Sequence, residues 1–145
     1  MQNEKPAKIE SFDGDYRFLS NFYGVPVTFN GLTYGNAEAA YQAQKQPERA
    51  AEFVGINPAH AKSLGRKLTM RPDWDAVKWQ VMLDLTRAKY AQSNYLRKKL
   101  LETGHAEIIE GNYWGDTYWG VCRGKGRNEL GKILMQVRDE LRRAQ

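Results

Sequence analysis

The sequence runs to 145 residues with a formal net charge of +5, 41% hydrophobic and 12% aromatic residues, a make-up that suits one globular domain and excludes a disordered chain. No apolar run approaches the roughly 20 residues that span a bilayer, the start Met1-Gln2-Asn3-Glu4-Lys5 lacks the apolar stretch of a signal peptide, and Cys122 has no second cysteine to pair with. The chain therefore reads as a single domain, 1–145, in a reducing, cytoplasmic setting, its basic balance favouring an anionic partner over a membrane.

In chain order, Met1 to Lys8 read as a loose lead-in and Ile9 to Phe12 as a short strand before the Asp13-Gly14-Asp15 turn. Phe18-Leu19-Ser20-Asn21-Phe22-Tyr23 alternates aromatic and polar residues. It suits either a core plug of Phe18, Leu19 and Phe22, or a pocket wall in which a ring stacks on a base and Ser20 or Asn21 bonds a ligand. Val25 to Phe29 and Leu32 to Tyr34 flank Asn30-Gly31, the pair that a type I′ hairpin turn requires.

A helix follows, starting near Ala37 with Asn36 as its cap. Glu38, Tyr41, Gln42 and Lys45 fall on it at i, i+3, i+4 and i+7, so a carboxylate, a phenol, an amide and an amine share one face. Alanines at 37, 39, 40 and 43 let another element approach closely, which suits a helix in the middle of the domain; a solvated polar stripe accounts for the spacing equally well.

Further helices are predicted over Pro47–Val54, ended by Gly55, and from Asn57-Pro58 to Leu64. The longer Asp73–Ala91 helix has Trp74, Val77, Val81, Leu85 and Ala88 as its buried stripe, with Trp74 either a core anchor or a ring facing a ligand. Ser93 caps a helix to about Glu102, closed by Gly104, and Ala106–Ile109 reads as a strand. Asn128 caps a last helix, Glu129–Arg142, with Leu130, Ile133, Leu134, Val137 and Leu141 as its apolar face. Between these two, residues 111–128 hold five glycines, four large aromatics and four charges. Ending at a helix N-terminus and carrying Arg123, Lys125 and Arg127, that stretch suits either a phosphate or a plain irregular connection, and it matches neither Walker A nor G-x-G-x-x-G. His60, His105 and Cys122 are too few and too scattered for a zinc site, so no structural metal is expected.

Five blocks occur in order: Phe18-Leu19-Ser20-Asn21-Phe22; Glu38-x-x-Tyr41-Gln42-Ala43-Gln44-Lys45; Asp73-Trp74 with Met82 and Arg87-Ala88-Lys89; Trp114-Gly115-Asp116; and Gly124-Lys125-Gly126-x-Asn128-x-Leu130-Gly131. Together they resemble the NADAR (YbiA-like) family from about residue 16 to the C-terminus. The resemblance implies a compact, mainly α-helical α+β domain with a small N-terminal β-hairpin, and cleavage of N-glycosidic bonds in ribose-containing substrates. Family activities are hydrolysis of phosphoribosylamino-pyrimidine intermediates of riboflavin synthesis and removal of ADP-ribose from guanine in nucleic acid. Glu38, Trp74 and Asp116 fall on the family's functional positions. Ala39-Ala40, where a histidine and an aromatic often sit, and Tyr118-Trp119, inserted before Gly120, depart from its pattern and bear on substrate more than on chemistry.

Breaking a C1′–N bond builds positive charge on the sugar, which a carboxylate stabilises or relieves by moving a proton, while a neutral amine attacks C1′. The expected catalytic set is Glu38, Lys45 and Asp116, with Lys45 alternatively reaching out to solvent or pairing with a substrate phosphate. The expected substrate contacts are Phe18, Ser20, Asn21, Phe22, Tyr41, Gln42, Trp74, Trp114, Gly115, Arg123, Gly124, Lys125, Gly126 and Asn128, with no metal and no cofactor. The leading expectation is a monomeric hydrolase that removes ADP-ribose from guanine on DNA. The riboflavin intermediates are the alternative substrate, and a non-catalytic ADP-ribose or NAD reader is the rival of another class. A sequence-independent nucleic-acid binder, whose affinity would fall steeply with salt, ranks last.

Overall fold

The computed structural model describes residues 6–145, so most of the predicted lead-in lies outside the described residues. The fold is α+β and mainly helical, its strands short. Its residues group into two compact units: one is the continuous segment Asn21–Gln92, the other is made of the segments before and after it.

In the continuous unit, β2 (Gly24–Phe29) and β3 (Leu32–Asn36) form the predicted antiparallel hairpin, with Val27 opposite Tyr34 and Thr28 opposite Thr33. Asn30 and Gly31 both take positive φ, 49° and 86°, as a type I′ turn demands. Pro26 has no amide proton to give, and it sits where the register shifts between Gly24 and Val27. The Gln92 side chain serves the strand in place of a neighbour, accepting from the Thr28 amide and donating to the Thr28 carbonyl, both at 2.8 Å.

Helix α1 (Ala37–Ala43) starts where predicted: the Asn36 side chain accepts from the Ala39 amide at 2.7 Å and donates to Ile56 O at 3.1 Å. It packs against both strands, α2 (Pro58–Gly65), α3 (Trp74–Ala91) and the 3-10 helix Pro47–Phe53. Its four alanines are fully buried, which permits that crowding. The stripe predicted for α3 holds at Trp74 and Leu85 but not at Val77, Val81 and Ala88, which are half-buried. Met82, Leu83, Thr86, Lys89 and Tyr90 are buried instead, one broad stripe rotated away from the predicted one, with α1 and β2 both packed on α3.

In the other unit, β1 (Lys8–Ile9) pairs in parallel with β4 (Glu107–Ile108), and β5 (Gly111–Asn112) pairs in parallel with β6 (Val121–Cys122). A 3-10 helix, Gly14–Leu19, follows β1 and buries Phe18 and Leu19. Helix α4 (Asn94–Glu102) is capped by Ser93 Oγ, which accepts from the Leu96 amide at 3.1 Å. Helix α5 (Glu129–Arg143) buries Leu130, Ile133, Leu134 and Val137 as predicted, with Leu141 half-buried.

Asn128 stands at the N-cap position of α5, as predicted, but its side chain makes no bond to the helix. It sits at φ 55°, and its side chain accepts from the Glu110 amide and donates to Ile108 O, both at 2.9 Å. Gly131 makes room for it, since a β-carbon there would come within 2.4 Å of both atoms of the Asn128 amide.

Candidate active site

The residues of the α1 stripe lie together, and the stripe is not a solvated face. Tyr41 and Gln42 are each 6% exposed, while Glu38 and Lys45 are half-buried. The Glu38 backbone amide donates to Asn21 O at 3.0 Å, and its carboxylate accepts from Gln42 Nε2 at 2.6 Å. Lys45 lies two residues beyond the end of α1, in a tightened turn where its amide donates to Gln42 O and its carbonyl accepts from the Arg71 amide.

Its Nζ stands 5.9 Å from the centre of the Tyr41 ring, which tilts against Trp74 at 5.3 Å. Burial holds the Lys45 amine below the usual lysine range; Glu38 opposes that shift, and Arg66 and Lys78 reinforce it. One segment of chain therefore supplies a hydrogen-bonded carboxylate, two packed aromatic rings and an amine biased towards its neutral, nucleophilic form.

The predicted contacts divide by place. Asn21 and Phe22 belong to this unit: Asn21 Nδ2 lies 3.4 Å from Met82 Sδ, and Phe22 is 44% exposed with Lys62 Nζ 6.0 Å from its ring. Phe18 and Ser20 belong to the other unit, where Phe18 is buried core with Lys99 Nζ 5.5 Å from its ring. The six-residue aromatic segment thus divides, its first half inside a core and Phe22 at the surface. Trp74 is both core and site, 5% exposed and in contact with Tyr41.

Trp114, Gly115 and Asp116 lie on the loop that follows β5. Trp114 is 53% exposed and packs edge-on against Tyr113 at 5.1 Å. Asp116 Oδ1 accepts from the Tyr118 and Trp119 amides at 3.1 and 2.9 Å, and Asn112 brackets Asp116 through its backbone. That carboxylate holds the loop together.

The free amides expected at the start of α5 are engaged. Those of Asn128, Glu129 and Leu130 donate to the carbonyls of Gly120, Tyr118 and Trp119, and the Lys125 amide donates to Cys122 O. Arg123 and Gly124, both at positive φ, form a tight turn between Cys122 and Lys125. An anion at Arg123, Gly124, Lys125, Gly126 and Asn128 would therefore meet the exposed cationic side chains rather than the helix terminus.

Sequence reasoning passed over Arg66 and Lys78, the cations that act on Lys45. Lys78 was within reach, because it follows Trp74 by four residues on α3; Arg66, just past the end of α2, gave no periodic signal. Among the described residues no cluster of His, Cys, Asp and Glu is arranged to hold a metal ion, and no helix is long and apolar enough to cross a membrane.

A mainly helical α+β fold carrying this carboxylate–amide–amine group fits the class that the five sequence blocks resemble. The NADAR domain profile matches residues 9–142, and the chain belongs to the NADAR family. N-glycosidase YbiA of Escherichia coli (strain K12) is 38% identical over 137 residues, 90% of this chain and 85% of that protein. Riboflavin biosynthesis protein VVA0006 of Vibrio vulnificus (strain YJ016) is 38% identical over 144 residues, 95% of this chain but 39% of that longer protein. The NMR structure of the E. coli protein YbiA superposes with a TM-score of 0.82 at 36% identity, covering 94% of this chain and 84% of that one.

Proposed function

We propose that this protein is an N-glycoside hydrolase that removes ADP-ribose from ADP-ribosylated guanine in DNA, acting as a monomer in the cytoplasm without metal or cofactor. Its relatives named N-glycosidases support the reaction class. The observation that carries the chemistry is the pairing of a Glu38 carboxylate held by Gln42 with a Lys45 amine driven towards neutrality by burial. The +5 net charge supports a nucleic-acid-borne substrate over a small one. The cations Arg66 and Lys78 beside Lys45 suit the pyrophosphate of an ADP-ribosyl group.

In the proposed sequence Glu38, having taken up a proton as substrate binds, delivers it to the ribose ring oxygen as its bond to C1′ breaks, leaving C1′ doubly bonded to the base nitrogen. The neutral Lys45 amine adds to C1′. The attacking nitrogen passes a proton to the base nitrogen, the C1′–N bond to the base breaks, and Lys45 is left joined to C1′ as a Schiff base. Water hydrolyses that bond, returning the amine and releasing the sugar, so that one water is consumed per glycosidic bond cleaved. Tyr41 and Trp74 supply flat apolar surface beside the reacting sugar.

Borohydride added during turnover of an ADP-ribosylated oligonucleotide is expected to trap a covalent adduct on Lys45, and Lys45→Arg is expected to be inactive. An active Lys45→Arg enzyme would leave Glu38 acting on water alone. The second reading, hydrolysis of phosphoribosylamino-pyrimidine intermediates, draws support from relatives named riboflavin biosynthesis proteins. Supplying both substrates to the purified protein separates the two. A Glu38→Gln protein that still binds ADP-ribose but turns over neither substrate supports a hydrolase, whereas one unchanged in every function points to a reader.

A further inference from the structure

Gly65, the last residue of α2, is buried against the Gln42 side chain. A β-carbon placed on it would come within 2.0 Å of Gln42 Oε1, 2.6 Å of Cδ and 3.2 Å of Cγ. Backbone freedom does not explain the glycine, because it is helical and is not among the residues with positive φ. By helix propensity alone alanine would serve α2 better. What requires glycine here is the close approach of Gln42.

Gln42 Nε2 donates to Glu38 Oε2 at 2.6 Å, while its Oε1 is buried with no hydrogen-bond partner. A carboxylate only accepts, so Glu38 fixes which end of the amide faces it, and the orphaned oxygen is turned towards Gly65. A buried carbonyl left unbonded is costly. The amide keeps this orientation because its other end holds the carboxylate.

We infer that Gly65 is a positioning residue for the reaction: the space it leaves seats the Gln42 amide at the depth from which Nε2 holds the Glu38 carboxylate. A methyl group at position 65 displaces the amide, breaks the bond to Glu38 and releases the carboxylate from its aim. The inference rests on the reading of Glu38 as the reacting carboxylate.

The test is a double-mutant cycle of Gly65→Ala and Gln42→Ala, assayed on an ADP-ribosylated oligonucleotide. Gly65→Ala alone is expected to lower kcat by about tenfold or more with KM little changed and thermal stability not reduced, as misplacement of a reacting group does. In the Gln42→Ala background the same substitution is expected to change kcat by no more than about twofold, since the group it displaces is gone. Equal losses in both backgrounds, or no loss in either, would overturn the inference.

A second readout needs no turnover. The Gln42 side-chain amide resonances, identified by their absence in Gln42→Ala, are expected to move on Glu38→Gln in the otherwise native protein and to stay put on Glu38→Gln in Gly65→Ala. If Gly65→Ala leaves those resonances at their native position, the inference falls even for an active enzyme. If they respond as expected and the wild-type protein turns over no substrate, it is the functional reading that fails.

Discussion

At Lys45, partial burial and the like charges of Arg66 and Lys78 favour the neutral amine, and Glu38 alone opposes them. An amine that attacks C1′ is competent once it has lost its proton, so on the acid side activity should rise with pH through the lowered pKa. Replacing Arg66 by Gln removes one positive neighbour, raises that pKa and shifts the acid limb to higher pH, as kcat/KM measured across a pH series will show. An acid limb that stays in place would mean that another group governs it. Asp116 calls for a paired comparison, since its Oδ1 holds two backbone amides. Asp116→Asn keeps an acceptor at that place and should retain turnover, whereas Asp116→Ala should lose both turnover and loop order; an inactive, well-folded Asp116→Asn would restore the proton-carrying role to the carboxylate.

At the scale of elements, much of the fold rests on asparagine chemistry, and two of these residues act in opposite ways. Asn36→Ala removes the α1 cap and should cost about 1 kcal/mol or more in urea unfolding, because its other end also bonds Ile56 O. Asn128→Ala should cost more than Asn128→Gly, since glycine keeps the positive φ while both substitutions lose the bonds to Ile108 and Glu110. Asn36, Asn57, Ser93 and the Asn30-Gly31 turn were legible in the sequence because each acts within three or four residues of itself. Asn128 was not, because its partners lie some twenty residues upstream and only the assembled unit shows them. The same limit explains the stripe of α3, whose buried side is chosen by packing against α1 and β2, elements distant in the sequence. For the candidate site, the spacing of Glu38, Tyr41, Gln42 and Lys45 placed together residues that do lie together. That Gln42 binds Glu38, and that Asp116 binds its own loop, depended on rotamers that spacing does not carry.

At the scale of the whole molecule, Lys89 is a charge carried into the interior, 2% exposed, with its amine 6.0 and 5.2 Å from the Tyr23 and Tyr90 rings. Burial lowers its pKa from 10.5 to about 7. Between those values the unfolded chain carries a proton that the fold does not, so this group's contribution to stability rises with pH across that window and is least below it. Lys89→Met should therefore raise the unfolding temperature at neutral pH and flatten its dependence on alkaline pH relative to the parent; a parent and variant with parallel pH curves would contradict the burial argument. The pairing of β1 with β4 has a consequence in time. Lys8 and Ile9 find their partners about a hundred residues downstream, a distance that makes closure entropically dear and slow. On a ribosome the first strand emerges long before its mate, and all of the continuous segment 21–92 is made while that strand still waits. Lys8 and Ile9 are thus made about a hundred residues ahead of the partners they need.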